Sequence, residues 1–302
     1  MNRALRYLKN AAILTVSGLV LRAAGMLLRI FMAGKIGAEG MGLYQLVFAV
    51  YGLFSTFATS GISVAATRLT SEALAEQKNN ASVNMTRIIK LGALLGIGAA
   101  ALEYFLAEPM SRYWLGDLRA TIALRILAFS LPFMAVCDSL KGYFYAIRKI
   151  TPNVKAQLLE QFVRMCLIWL ALNKANGISL SSLCALIMVG NTVSEIASCF
   201  FMIFCYKRQT GNNQQKKTTQ VTFKKIWSIA GPVEGSRCMD SGFHAVENVL
   251  VPATLLNFLT NKSDALAQFG ALKGMAMPIL LFPFSFLNPL EALLLPEIAE
   301  AH

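Results

Sequence analysis

Long apolar runs separated by short polar stretches dominate this chain. Eight runs, at 11–33, 41–66, 88–107, 121–147, 156–172, 178–206, 226–259 and 266–296, are each of the order a membrane-crossing helix needs, roughly 20 mostly apolar residues. The longest polar interruption, 207–225, contains Gln-Thr-Gly-Asn-Asn-Gln-Gln-Lys-Lys-Thr-Thr-Gln and shows no apolar period. It reads as a flexible cytoplasmic linker. The other connections are short, which makes consecutive helices antiparallel neighbours. The pattern predicts an all-α polytopic membrane helix bundle: a six-helix N-terminal lobe over 1–206, a linker over 207–225, and over 226–302 the first two helices of an incomplete second lobe.

Composition agrees. The 302 residues are 56% hydrophobic and 15% charged, with mean hydropathy +0.54, whereas soluble domains carry about 25% charged residues. Charge placement then sets an orientation. With the N-terminus in the cytoplasm, the inner segments hold Arg3, Arg6, Lys9, Arg68, Lys78, Arg87, Lys90, Arg148, Lys149, Lys155, Lys207, Arg208, Lys216, Lys217, Lys224 and Lys225, sixteen in all. The outer loops hold five, Lys35, Arg112, Arg119, Lys174 and Lys262. The net charge of +12 is thus a positive-inside signature in the inner (cytoplasmic) membrane and asks for no nucleic-acid partner. The first run is too long for a signal-peptide core and contains Arg22 and Arg29.

The six cysteines, Cys137, Cys166, Cys184, Cys199, Cys205 and Cys238, fall in predicted spans without a C-x-x-C pair, so neither a disulfide framework nor a metal site is expected. Asn80-Ala-Ser, Asn84-Met-Thr and Asn261-Lys-Ser fit the glycosylation pattern, but two lie on the predicted inner side and read as chance matches. No Walker motif, H-E-x-x-H or G-x-S-x-G is present, so no catalytic residue and no cofactor is predicted. Gly37-Ala-Glu-Gly-Met-Gly42 follows a membrane helix rather than a strand and reads as a tight outer turn.

A weak internal repeat supports the two-lobe division. Gly42-Leu-Tyr-Gln opens one long helix, ending near Arg68-Leu-Thr-Ser-Glu-Ala; Ala267-Gln-Phe-Gly opens another, ending near Leu295-Pro-Glu-Ile-Ala-Glu-Ala. Transporters are often built from two such repeats with the substrate path between them.

Ionisable residues at membrane depth cost several kcal/mol by roughly any scale and usually face a cavity or a partner. In the first span Gly18, Arg22, Gly25 and Arg29 recur at steps of four, three and four, hence on one face. Two cations among residues too small to cover them suggest a cationic cavity wall for an anionic headgroup; pairing elsewhere or snorkelling of Arg29 is the alternative. In the seventh span Glu234, Arg237, Asp240, His244 and Glu247 share a broad face, with Glu234–Arg237 and Arg237–Asp240 in intrahelical reach. That face is either a polar path with titrating groups or a self-neutralised cavity lining.

Other positions read structurally. Glu160–Arg164 and Asp138–Lys141 are expected local pairs, and Glu103 is expected to reach water near the outer end of its span. Arg125, Glu195 and Lys273 have no local partner. Gly92-Ala-Leu-Leu-Gly96 fits small-xxx-small packing. Pro278, Pro283, Pro289 and Pro296 predict kinks in the last span.

Several blocks resemble the stage V sporulation protein B-like polysaccharide flippases: Arg22-Ala-Ala-Gly-Met-Leu-Leu-Arg29, Gly37-Ala-Glu-Gly-Met-Gly-Leu-Tyr-Gln45, Gly61-Ile-Ser-Val-Ala-Ala-Thr-Arg-Leu69, Glu247-Asn-Val-Leu-Val-Pro252, Gly274-Met-Ala-Met-Pro278 and Leu295-Pro-Glu-Ile-Ala-Glu300. This family belongs to the multidrug/oligosaccharidyl-lipid/polysaccharide exporter superfamily. The resemblance implies two six-helix lobes around a central cavity and a polyprenyl-pyrophosphate-linked sugar as substrate, peptidoglycan precursors included. By its place in the first helix Arg22 matches a pyrophosphate-binding arginine of the lipid II flippases, Arg29 less closely, and Arg237 and Glu247 match polar positions of the sporulation branch. No cation site is carried over. Relatives continue for at least four more helices, so a truncated frame is the expectation.

The leading reading is a flippase for a lipid-linked oligosaccharide or peptidoglycan precursor, or a fragment of one. A drug/cation antiporter of the same superfamily would favour an acidic cavity, against Arg22 and Arg29. A non-transporting scaffold in envelope or spore assembly is the reading from another class. If the short chain is a whole product, its exposed helix faces must meet lipid or self-associate.

Overall fold

The computed structural model describes residues 3–75, 81–174, 177–210, 223–259 and 261–283. Among them every regular element is helical: α1 (Arg3–Ala75), α2 (Ala81–Pro109), α3 (Ala120–Ala128), α4 (Leu131–Ala146), α5 (Thr151–Lys174), α6 (Leu180–Thr210), α7 (Phe223–Leu255), α8 (Lys262–Phe269) and α9 (Met277–Leu280). Each of the eight predicted spans falls largely on helix where described. Most of the linker, at 211–222, lies outside the described residues, as do Pro289, Pro296 and the end of the second repeat.

At 73 residues α1 would be about 110 Å long if straight, far beyond one crossing of a core about 30 Å thick. It holds the first two predicted spans and breaks between them at Gly37 (φ 69°, ψ −176°), a conformation essentially reserved for glycine. The two arms fold back there. Arg29 of the first comes within electrostatic reach of Tyr44 of the second, although fifteen residues of straight helix would hold them about 22 Å apart.

Three stretches are long and apolar enough to cross a membrane: α1, α2 with the turn after it, and α6. The α3–α4 pair, bent by 44°, makes a fourth. The arms of α1 count as two crossings by length. Helices α5 and α7, with 24 and 33 residues, are long enough but are less apolar and are not among these stretches.

Two π-helical turns interrupt the helices. Met110–Trp114 follows Pro109, and Gly270–Ala276 precedes Pro278. Proline lacks an N–H and its ring crowds the carbonyl four residues back; for Pro278 that is the Gly274 carbonyl, inside the second turn, which widens. This is the form the kink expected at Pro278 takes.

The core falls into three clusters. One centres on Leu46, Val47, Val50 and Phe54 of α1 with Leu124, Leu127, Val249, Leu266 and Phe269. A second joins Ile62 and Leu69 of α1 to Ile88, Leu140, Phe144, Ile226 and Ala230. The third packs Leu28, Met32 and Ile36 on Ile168, Leu172 and Ile187. The second arm of α1 is thus the common wall of the bundle, and two clusters draw residues from both sides of the predicted linker.

Glycines set the closest approaches. A Cβ on Gly92 would lie 2.7 Å from Ser139 Oγ and one on Gly96 2.8 Å from Pro132 Cα, so the predicted small-xxx-small stripe is where α2 meets α4. The openings of the two repeats also meet: a Cβ on Gly270 would fall on the Ala38 carbonyl and Gly42 nitrogen, and one on Gly42 on the Leu266 carbonyl. Gln45 Nε2 donates to the Lys273 carbonyl at 3.3 Å just beside this crossing.

Candidate substrate cavity

The first arm of α1 presents its small residues to open space. No atom lies within 4 Å of a Cβ built on Gly18, and only Gln161 Nε2, at 4.0 Å, approaches one on Gly25. Between this face and α9 with the two residues after it lies a cavity of 290 Å³ lined by Arg22, Gly25, Met26, Arg29, Pro278, Leu281 and Phe282. Arg22 is exposed and Arg29 half-buried. Neither forms an ion pair among the described residues. Two guanidinium groups with free donors on a shared cavity can hold an anion bidentately, as planar forks hold phosphate oxygens.

A third arginine belongs to this neighbourhood. Arg164 on α5 reaches Tyr44 electrostatically, as Arg29 does. It donates to Glu160 Oε1 at 2.6 Å and to Gln161 Oε1 at 3.2 Å. The Glu160–Arg164 pair was legible as a local i,i+4 pair; its place beside the arginine face was not. The signal was Gln161, a polar residue inside the same apolar run.

The seventh-span residues separate. Glu234 is buried and accepts the Gly61 N–H at 2.7 Å, which fixes α7 against α1. Ser241 and Thr56 share a 2.7 Å hydroxyl hydrogen bond on the same seam. Arg237 and Asp240 are exposed and form no ion pair among the described residues. Glu247 meets Lys273 at 2.6 Å and His244 Nδ1 at 3.5 Å, with His244 68% exposed. None of these five residues lines the Arg22–Arg29 cavity, so the two predicted polar faces are not brought together there.

Partners emerge for the residues that lacked one. Lys273 has Glu247, Arg125 has Glu108 at 3.5 Å and the Tyr104 ring at 5.3 Å, and Glu195 accepts from Tyr51. Asp138–Lys141 pairs at 2.8 Å, as expected. Glu103, expected to reach water, is instead fully buried, because its helix face packs inward on α1 and α3. All six cysteines are free.

At the end of the bundle where α1 turns, charges from three connections converge. Arg119 donates to Asp117 Oδ2 at 2.7 Å and to Glu39 Oε1 at 2.8 Å, and Lys262 donates to the Gly116 carbonyl. Burial by itself would raise the Asp117 carboxyl, but the Arg119 bonds outweigh it and hold it below the usual aspartate range. Its bond to Asp117 in turn holds the Arg119 guanidinium more firmly protonated than an ordinary arginine. The cluster ties the α1 turn, the loop before α3 and the start of α8 into one rim. All of these residues are in loops or first turns that the sequence placed on the outer side.

The family described as "Polysaccharide biosynthesis protein" matches residues 7–302. "Stage V sporulation protein B" of Bacillus subtilis (strain 168) is 28% identical over 301 residues, covering 97% of this chain and 58% of that protein. "Lipid II flippase MurJ" of the same organism is 23% identical over 169 residues, 53% of this chain and 31% of that protein. A solved structure, "Inward-facing conformation of a multidrug resistance MATE family transporter of the MOP superfamily", superposes with a TM-score of 0.66 at 13% identity, covering 95% of this chain and 64% of that one. This likeness establishes the fold. The chain spans about six-tenths of the length of the sporulation relative and of the solved transporter.

Proposed function

Since the chain belongs to the polysaccharide biosynthesis protein family, we propose that it serves as a membrane flippase for a lipid-linked oligosaccharide or peptidoglycan precursor, or as part of one. The observation that carries this reading is the pair Arg22 and Arg29: cations without an acidic partner among the described residues, on one face of a helix, lining one cavity. A polyprenyl-linked substrate presents its pyrophosphate where the sugar meets the lipid. The arginines would hold that group while the open glycine face admits the chain attached to it. Residues 1–206 act as one lobe, 226–302 as the beginning of a second joined by the 207–225 linker, and the cavity opens alternately to the two sides. The N-terminus lies in the cytoplasm, in keeping with the distribution of basic residues. The likeness to a lipid II flippase supports this substrate class over a cationic drug, and two arginines without an acidic partner among the described residues would repel a cation.

Native mass spectrometry of the purified chain in detergent tests it, with polyprenyl pyrophosphate and the matching polyprenol as probes. Charge-assisted hydrogen bonds contribute about 1.5–3 kcal/mol each, so the pyrophosphate should bind about tenfold or more tighter than the alcohol. Arg22→Glu and Arg29→Glu should each abolish that preference while leaving the helical content unchanged. Equal binding of the two lipids by the unaltered chain would defeat the proposal.

A further inference from the structure

Away from the arginine cavity, the interior holds a second set of ionisable groups that the flippase reading does not use. Glu103 on α2 is fully buried, and neither carboxylate oxygen has a hydrogen-bond partner among the described residues. An ionised carboxylate in that state costs several kcal/mol or more, whereas a neutral acid costs only about what an unsatisfied polar group does, roughly 1–3 kcal/mol. The charge that reaches it is that of Glu195 on α6, and Tyr51 of α1, hydrogen-bonded to Glu195, lies within electrostatic reach of Glu103.

Glu195 leads to a chain of hydroxyls. The Tyr51 hydroxyl lies 3.1 and 3.0 Å from the two Glu195 oxygens and 2.7 Å from Ser130 Oγ, which lies 2.8 Å from the Leu127 carbonyl. Tyr51 and Ser130 are buried and carry one hydroxyl proton each. With Glu195 ionised, Tyr51 donates to it. Ser130, which also reaches Glu195, can likewise turn its proton toward the carboxylate, since the Leu127 carbonyl already accepts the Ser130 backbone N–H at 2.8 Å. With one proton added, Glu195 donates to Tyr51, Tyr51 to Ser130 and Ser130 Oγ to the Leu127 carbonyl, so the chain of donors runs the other way. Ser130 is the residue between α3 and α4, where the helix pair bends by 44°.

We infer that Glu103 and Glu195 form a proton-binding site whose occupancy sets the direction of the hydrogen-bond chain through Tyr51 to Ser130 at the α3–α4 bend. The surrounding charges leave this role to the two acids. On α3, Arg125 turns to Glu108 and the Tyr104 ring, and Arg112 also pairs with Glu108. On α4, Asp138 and Lys141 neutralise each other, as do Glu160 and Arg164 on α5, the other charges that reach Glu195. No cluster of three or more His, Cys, Asp or Glu able to hold a metal occurs among the described residues.

Infrared difference spectroscopy of the 302-residue chain in liposomes, titrated with pH in potassium buffer, tests the site without depending on what is transported. The carbonyl stretch of a buried neutral carboxylic acid should be present at neutral pH and disappear in Glu103→Gln. A second such band should titrate and disappear in Glu195→Gln. Tyr51→Phe should keep both bands and raise the proton affinity of Glu195 about tenfold, because the bond it removes favours the charged form by more than the neutral one. Tyr51→Phe keeps the test open if either Gln variant fails to assemble. Absence of both bands, or a titration that moves when sodium replaces potassium, would overturn the inference; the second outcome would make the site one for a metal cation.

Discussion

The contact between α2 and α4 allows a prediction with its own control in the same helix. A Cβ added at Gly96 would sit 2.8 Å from Pro132 Cα and 3.0 Å from both Ala135 Cβ and the Leu131 carbonyl. Carbon atoms prefer about 3.5–4.0 Å, so the helices must part by roughly 0.5–1 Å, and such a gap forfeits a quarter to a half of each contact it opens. Backbone atoms cannot rotate aside, which places the cost in the usual overpacking range of about 1–3 kcal/mol. Alanine also repays roughly 0.5–1 kcal/mol in an exposed helix interior. Gly98, two residues on, points to open space and should show only that gain. The difference between Gly96→Ala and Gly98→Ala therefore isolates the packing cost, and the gain in helix propensity cancels. Gly92→Ala should fall between them, because the atom it meets is the Ser139 hydroxyl, 2.7 Å away but on a rotatable side chain. Unfolding by sodium dodecyl sulfate in mixed micelles, followed by tryptophan fluorescence, measures the three midpoints. If Gly96→Ala unfolds no earlier than Gly98→Ala, the small-residue stripe is not a close contact and the assignment of α2 against α4 is wrong.

Three further outcomes are expected. Arg22→Glu should abolish rescue of a flippase-deficient strain by the protein while sparing its expression; survival of rescue would remove the cationic cavity from the transport path. The Asp117 carboxyl titrates below its ordinary value, so its contribution is complete above about pH 3.9 and is lost as pH falls through the lowered folded-state value; Asp117→Asn should flatten the acid limb of thermal stability and leave neutral pH to the loss of the Arg119 pair alone, read from melting temperatures across pH. Glu234→Ala strips the Gly61 N–H of its carboxylate and should destabilise by about 1–3 kcal/mol, while Arg237→Ala on the exposed face of the same helix should stay within about 0.5 kcal/mol, both read in the same micelle titration.

Helix type and order were legible because lipid-length apolar runs leave few alternatives, and the i,i+3 and i,i+4 pairs were legible because both partners sit on one element. What the residues concealed was relation between elements. Glu103 sits in an ordinary apolar run, and nothing local distinguishes a carboxyl facing α1 from one facing the outer rim. Glu234 and Arg237 lie three residues apart, yet the turn of α7 sends one into the α1 seam and leaves the other outside. The arginine face could be read from Gly18, Arg22, Gly25 and Arg29, since small neighbours at helical spacing announce an uncovered side. The opposite wall at Pro278 and Phe282 could not, since it lies about 250 residues away in the chain.

The crossing of Gly42 and Gly270 has a mechanical consequence. Main chain meets main chain there, with the Leu266 side chain packed against Gly42, so the joint resists translation and is the point about which a tilt of the two elements would turn. From Gly42 the second arm of α1 extends to Ala66 at the opposite end of its span, a lever of about 36 Å at 1.5 Å per residue. A tilt of about 10° at this fulcrum would sweep the far end through roughly 6 Å. That is more than one helical turn of 5.4 Å, so a joint one glycine wide at one rim can govern an aperture of headgroup size at the other.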